Sequence, residues 1–151
     1  MSLFRWFGVA AVMVLAVACS SDTAVGPTGR FDHAAATTTC GPADGPAVAI
    51  YLTSEPVKSI EPSGVYVRIF IPGSVDQLAG TSWPIAANSE AGARYTRTAN
   101  NYEWAKSGLL IVKSVASDNS VSGSVYLDFP DAGHIQGEFH ADWFPAVHPC
   151  F

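Results

Sequence analysis

The chain has 151 residues, 48% of them apolar and 14% charged, which is too apolar and too sparsely charged for a disordered protein. A formal net charge of −5 leaves no general electrostatic footprint for a phosphate backbone and argues against nucleic acid as a partner. Thirteen glycines and ten prolines imply many turns without reaching low-complexity composition, and one compact domain is expected.

Arg5 is the only charge in the first nineteen residues, and Trp6 to Ala18 is a 13-residue uncharged apolar run ending in small residues. That is the layout of a secretory signal, residues 1–18. The uncharged stretch reaches only to Ser21, 16 residues, short of the roughly 20 that span a bilayer as a helix. Its end, Leu15-Ala16-Val17-Ala18-Cys19, resembles a bacterial lipobox. The resemblance implies cleavage before Cys19, diacylation of its sulfur, and a mature protein tied to a membrane by several acyl chains, which anchor stably where one would not. The plainer alternative is an ordinary secretory signal cut near Ala18. Ser20 to Thr39 is small and polar, with one Phe and no apolar periodicity, so residues 19–39 read as a lipidated Cys and a flexible tether. Ser20 in place of Asp resembles, in a two-membrane bacterium, a lipoprotein sorted on to the outer membrane.

With Cys19 assigned to the anchor, Cys40 and Cys150 remain as one pair in an oxidising setting, and a disulfide is the expected reading. It would bracket a single 112-residue domain, 40–151. In the chain-entropy model a loop of about 100 residues gains roughly 4 to 5 kcal/mol, an upper figure because native strain reduces it. Free thiols, or a Cys/His metal site using His148, are the rival readings; neither shows the closely paired ligands of a zinc motif.

Within the domain, prolines cut the chain into short apolar segments that leave little room for long helices. Ala47 to Leu52 reads as a strand with Val48, Ile50 and Leu52 on one face. Val65 to Ile71 is the strongest strand, placing Val65, Val67, Ile69 and Ile71 opposite Tyr66, Arg68 and Phe70. Thr81 to Ala86 is a further candidate, and Asn88 to Ala91 could form one helical turn stopped by Gly92. Arg94 to Thr98 and Tyr102 to Trp104 read as extended segments around Asn100 and Asn101. Gly108 to Ala116, Val121 to Phe129 and His134 to Trp143 form a C-terminal three-stranded meander with turns at 117–120 and 130–133. Val125, Leu127, Phe139 and Ala141 are expected to be buried, and Ser124, Asp128, Glu138 and His140 exposed. The whole is an all-β, small antiparallel sandwich or barrel with at most one short helix. Glycines in mid-strand suggest bends or bulges.

Polar side chains cluster in the last strand. Glu138, His140 and Asp142 share a face at about 7 Å spacing and could converge on a metal if a second strand contributed, whereas His134 stands about 20 Å from His140 and could not join them. The plainer reading is a solvated sheet face with no metal, and it is the one favoured. No nucleophile elbow, phosphate loop or dinucleotide fingerprint occurs, so no cofactor is implied. Tyr51, Tyr66, Tyr95, Tyr102, Tyr126, Trp83 and Trp104 could line a carbohydrate or small-ligand groove, against the alternative that strand aromatics serve packing.

The segment Ser107 to Cys150, with its S-G start, G-x-F-x-A strand and closing Cys, resembles the end of small uncharacterised bacterial lipoproteins. The likeness covers under a third of the chain and implies location and a β-meander, not an activity. Glu90 to Gly108, EAGARYTRTANNYEWAKSG, looks like segments of membrane-bound inhibitors of C-type lysozyme, which are also lipid-anchored, disulfide-bonded β-barrels. That likeness implies an inhibitor loop carrying Tyr95 and Lys106, although Ala91 stands where the family has its inhibitory Ser. The expectation is therefore an exported, lipid-anchored envelope protein, a non-enzymatic binding or structural module with a protein or carbohydrate ligand. Lysozyme inhibition is the alternative, followed by a small-ligand or metal-binding protein or an envelope enzyme.

Overall fold

The computed structural model describes residues 24–26, 29–41, 45–59 and 62–145. The strands are β1 (Ala24–Gly26), β2 (Gly29–Phe31), β3 (His33–Cys40), β4 (Pro46–Thr53), β5 (Tyr66–Pro72), β6 (Ser82–Ala86), β7 (Gly92–Thr98), β8 (Asn101–Trp104), β9 (Ser107–Val115), β10 (Val121–Phe129) and β11 (Gly133–Trp143). The single helical turn among the described residues is a 3-10 turn at Val75–Gln77. Residues 88–91, where one helical turn was expected, instead form a turn and bend in which Ser89 Oγ accepts from the Ala86 amide and donates to the Ala91 carbonyl.

All eleven strands join one sheet in the order β6-β9-β10-β11-β3-β4-β5-β7-β8, with β1 beside β11 and β2 beside β1. The sheet curls until its two ends approach. Ile85 near the end of β6 bridges Ala91 just before β7, and only Ala105 and Lys106 separate edge strand β8 from β9. The sheet is mixed, not purely antiparallel, because β11 runs parallel to β3 with Trp143 opposite Ala36. A parallel neighbour requires a long connection, and this one is made by nearly the whole domain.

Strand β3 moves the start of the domain. Residues expected to be tether up to Thr39 include a central strand paired along its length with β4, from His33 opposite Thr53 to Cys40 opposite Pro46. Its HAAATTTC sequence lacks large apolar side chains, but Ala and Thr suit a strand buried on both faces where neighbours stand close. Ala35, Ala36 and Thr37 are all buried.

The concave face holds the core, with Val48, Ile50 and Leu52 of β4, Val67, Ile69 and Ile71 of β5, Leu110 and Val112 of β9, and Phe129, Ile135 and Phe139 of the final hairpin. Val65, expected on this face, precedes β5 and is exposed. The meander follows its sequence pattern in β10 and β11, with Val125, Leu127, Phe139 and Ala141 buried and Glu138 and His140 exposed. Ser124 departs from it and is buried, and Asp128, expected to be exposed, is half-buried. Ser124 lies between Ile111 and Glu138 in register, under an ion pair from Lys113 of β9 to Glu138 of β11 that reaches across β10. A small side chain between two long ones is shielded by them. The mid-strand Gly123 sits at a register shift, where an added Cβ would lie 2.2 Å from the Ile111 carbonyl oxygen and 2.9 Å from the Phe139 ring, so the bulge admits no side chain. No helix among the described residues is long and apolar enough to cross a membrane.

Candidate functional site: an arginine and aromatic band on the convex face

Strands β4, β5, β7 and β8 are neighbours, and their register lines up one transverse row on the convex face: Tyr51 opposite Arg68, Arg68 opposite Arg94, and Arg94 opposite Trp104. The next row on the same face is Thr53, Tyr66, Thr96 and Tyr102, because residues two apart in a strand share a side. The row ends at the sheet edge, where Trp104 is 58% and Tyr102 49% exposed although both are large and apolar.

The two guanidiniums are held by aromatic rings. Arg94 lies 5.0 Å from the Tyr102 ring centroid and Arg68 5.8 Å from that of Tyr51; Arg68 also donates from Nη2 to Thr39 Oγ1 at 3.1 Å. Tyr51 packs on Tyr66 and Tyr102 edge-on against Trp104, which extends the lattice. Like charges directly opposite across a sheet repel. Neither arginine pairs with a carboxylate among the described residues, and the Nε atom of each is buried without a hydrogen-bond partner.

Arg68, Arg94, Phe70, Trp104, Gly41 and Cys40 line a cavity of about 250 Å³. A second, of about 480 Å³, shares Phe70 and Trp104 with it and runs over Gly92 and Ala93 to the 85–91 turn, where Glu90 stands. The two adjoin at Phe70 and Trp104, a cationic cavity beside a mainly apolar one, and are taken together as a groove. Its side chains suit binding: guanidiniums present fixed donor forks, and the rings offer flat apolar faces.

A separate polar cluster closes the curl. The Glu103 carboxylate of β8 accepts from the Arg97 guanidinium at 2.7 Å and from the amides of Asp131 and Ala132, at 2.8 and 3.0 Å, in the β10–β11 turn. Burial opposes its ionisation most strongly, but the two amides and Arg97 together outweigh that and hold the carboxyl below its ordinary range.

The other expected site residues are distributed as follows. Glu138, His140 and Asp142 do share one exposed face of β11, but Glu138 pairs with Lys113, His140 Nδ1 lies 2.7 Å from Ser122 Oγ, and His140 Nε2 is 3.9 Å from Asp142 Oδ1. Among the described residues no three such groups converge as metal ligands. Tyr95 is 1% exposed in the core, against Phe129 and under Arg97, whereas Lys106 is exposed on the bend after β8, so the two do not share one accessible surface. Trp83 is half-buried with Nε1 donating to Thr81 Oγ1, and Tyr126 is exposed on β10, away from the band. Of the seven aromatics considered for a groove, Tyr51, Tyr66, Tyr102 and Trp104 are brought together. Cys19, His148 and Cys150 lie outside the described residues.

Sequence reasoning missed the arginine pair. Alternation in β5 already set Arg68 beside Tyr66 and Phe70 on the face away from the core; what it did not contain was the register bringing Arg94 opposite. No family model, curated protein or solved structure matches the chain.

Proposed function

We propose that this is an exported, lipid-anchored protein of a bacterial envelope whose β-domain is a non-enzymatic binding module, and that the groove along Arg68, Arg94, Phe70 and Trp104 is its binding surface. The observation that carries the binding role is the row of guanidiniums without a carboxylate partner among the described residues, ending at the exposed rings of Tyr102 and Trp104. Arginine stays protonated at any physiological pH, so the cationic end can orient a ligand but does not exchange protons with it. The anchor is supported by the uncharged run ending at Cys19.

A disulfide between Cys40 and Cys150 belongs to the same reading. Strand β11 runs parallel to β3 with Trp143 beside Ala36, so both chains leave the pair in one direction. Cys40 stands four residues beyond Ala36, about 13 Å, and the seven residues from Trp143 to Cys150 reach up to roughly 23 Å, so the closure is within range.

Two measurements test the proposal. Cells expressing the chain with labelled palmitate should place label on the wild type and none on Cys19→Ala, with only the wild type sedimenting with membranes; equal sedimentation of both would contradict the anchor. Saturation-transfer NMR against the soluble small molecules and oligosaccharides of the envelope should show contacts with the wild type that vanish in Trp104→Ala. Identical spectra for the two would contradict the groove.

A further inference from the structure

The geometry points to the Arg68–Arg94 pair as an anion subsite, so that the groove takes a small amphipathic anion: a carboxylate or phosphate between the two guanidiniums, with an apolar body lying along Phe70 and Trp104. The inference rests on the groove being a binding surface and adds the class of its ligand.

Four observations support it. Arg68 and Arg94 are direct cross-strand partners, like charges that repel, and no carboxylate among the described residues pairs with either. An anion bridging the pair through the outer guanidinium nitrogens offsets that repulsion, by charge-assisted bonds of the kind the guanidinium fork favours; the Nε atoms of both are closed to solvent and take no part. Second, the side chains are held before any ligand arrives, Arg94 by the Tyr102 ring and Arg68 by Tyr51 and Thr39, so little ordering remains to oppose binding. Third, the cationic cavity shares Phe70 and Trp104 with a larger one that extends over Gly92 to the small side chains Ala86, Ala87 and Ala91 of the 85–91 turn. A bare inorganic ion would leave that space unused, whereas an apolar body fills it. Fourth, the only carboxylate lining the groove among the described residues is Glu90, at the far turn, which places the cationic and anionic ends apart and gives the ligand one orientation.

The test is calorimetric titration of the full-length protein in phosphatidylcholine nanodiscs with 4-phenylbutyrate and phenyl phosphate, their respective neutral alcohols 4-phenylbutanol and phenol, and acetate or inorganic phosphate as heads without a body. At least one aromatic anion should bind ten times or more tighter than its alcohol and than the bare heads; which of the two does so distinguishes a carboxylate from a phosphate ligand. Arg68→Gln and Arg94→Gln should each weaken the anion roughly 10- to 100-fold and leave the alcohol unchanged, while Trp104→Ala weakens both probes. Melting curves verify that the variants fold, and the comparison of anion with alcohol needs no variant at all. Anion and alcohol binding equally, with Trp104 still required, would overturn the anion subsite and leave the groove standing. No probe binding would overturn both.

Discussion

At Glu103 one carboxylate joins the β7–β8 hairpin, through its own edge strand and Arg97 on β7, to the turn at Asp131 and Ala132, 28 and 29 residues further along the chain. Its carboxyl is held below the ordinary range, so the folded state takes up its proton later on acidification than the unfolded chain does. The stability it contributes is therefore complete above the unfolded carboxylate value, about 4.3, and is lost as pH falls through the lower folded value. Glu103→Gln should lower stability by about 1.5 to 3 kcal/mol at pH 7 in denaturant melts, with the gap to wild type closing as the pH is lowered through that window. A gap that does not change with pH would mean the carboxylate charge is not what holds the curl. Arg68 and Arg94 make the opposite case at the same scale. Like charges stand opposite one another there, and what holds each guanidinium is a tyrosine ring, Tyr51 for Arg68 and Tyr102 for Arg94.

At the scale of elements, β10 and β11 were legible because large apolar and polar side chains alternate along both, and a half-wet antiparallel hairpin demands that alternation. Phe139→Ala should cost on the order of 3 to 5 kcal/mol, since the ring is buried against Gly123, whereas Glu138→Ala should stay within about 1 kcal/mol because its pair with Lys113 is exposed. Chemical denaturation of the two variants checks the order. Strand β3 was not legible. Its alanines and threonines carry no apolar stripe, and what makes them a strand is their place between β4, the antiparallel neighbour that follows at once, and β11, a parallel partner supplied from far along the chain. Slow amide hydrogen exchange at residues 34–39, comparable to that of β4, is the expected outcome; removal of residues 1–39 should prevent folding, where removal of 1–18 should not. The candidate site failed to show itself for a related reason: its rows are made by register across four strands, and one sequence states the contents of a strand without stating what lies opposite.

For the whole molecule, the curl of a single sheet places the core on its concave side and the row of Arg68, Arg94 and Trp104 on the convex side of β5, β7 and β8, beside a cavity that Cys40 also lines. A bond from Cys40 to Cys150 would fix that rim. Intact-mass analysis after non-reducing alkylation should find neither cysteine labelled, and Cys40→Ser should lower stability by at most about 4 to 5 kcal/mol. The central claim, that the convex band is a site for an anion, is met most directly by observing the two arginines themselves. In a titration of the full-length protein with 4-phenylbutyrate and phenyl phosphate followed by NMR of the arginine Nε–Hε groups and the Trp104 indole, the account predicts saturable shifts at Arg68, Arg94 and Trp104 with one common dissociation constant, and unchanged signals for Arg97, which Glu103 already occupies. Resonances of Arg68 and Arg94 that stay still for both probes, or shifts centred on another face of the sheet, would contradict it.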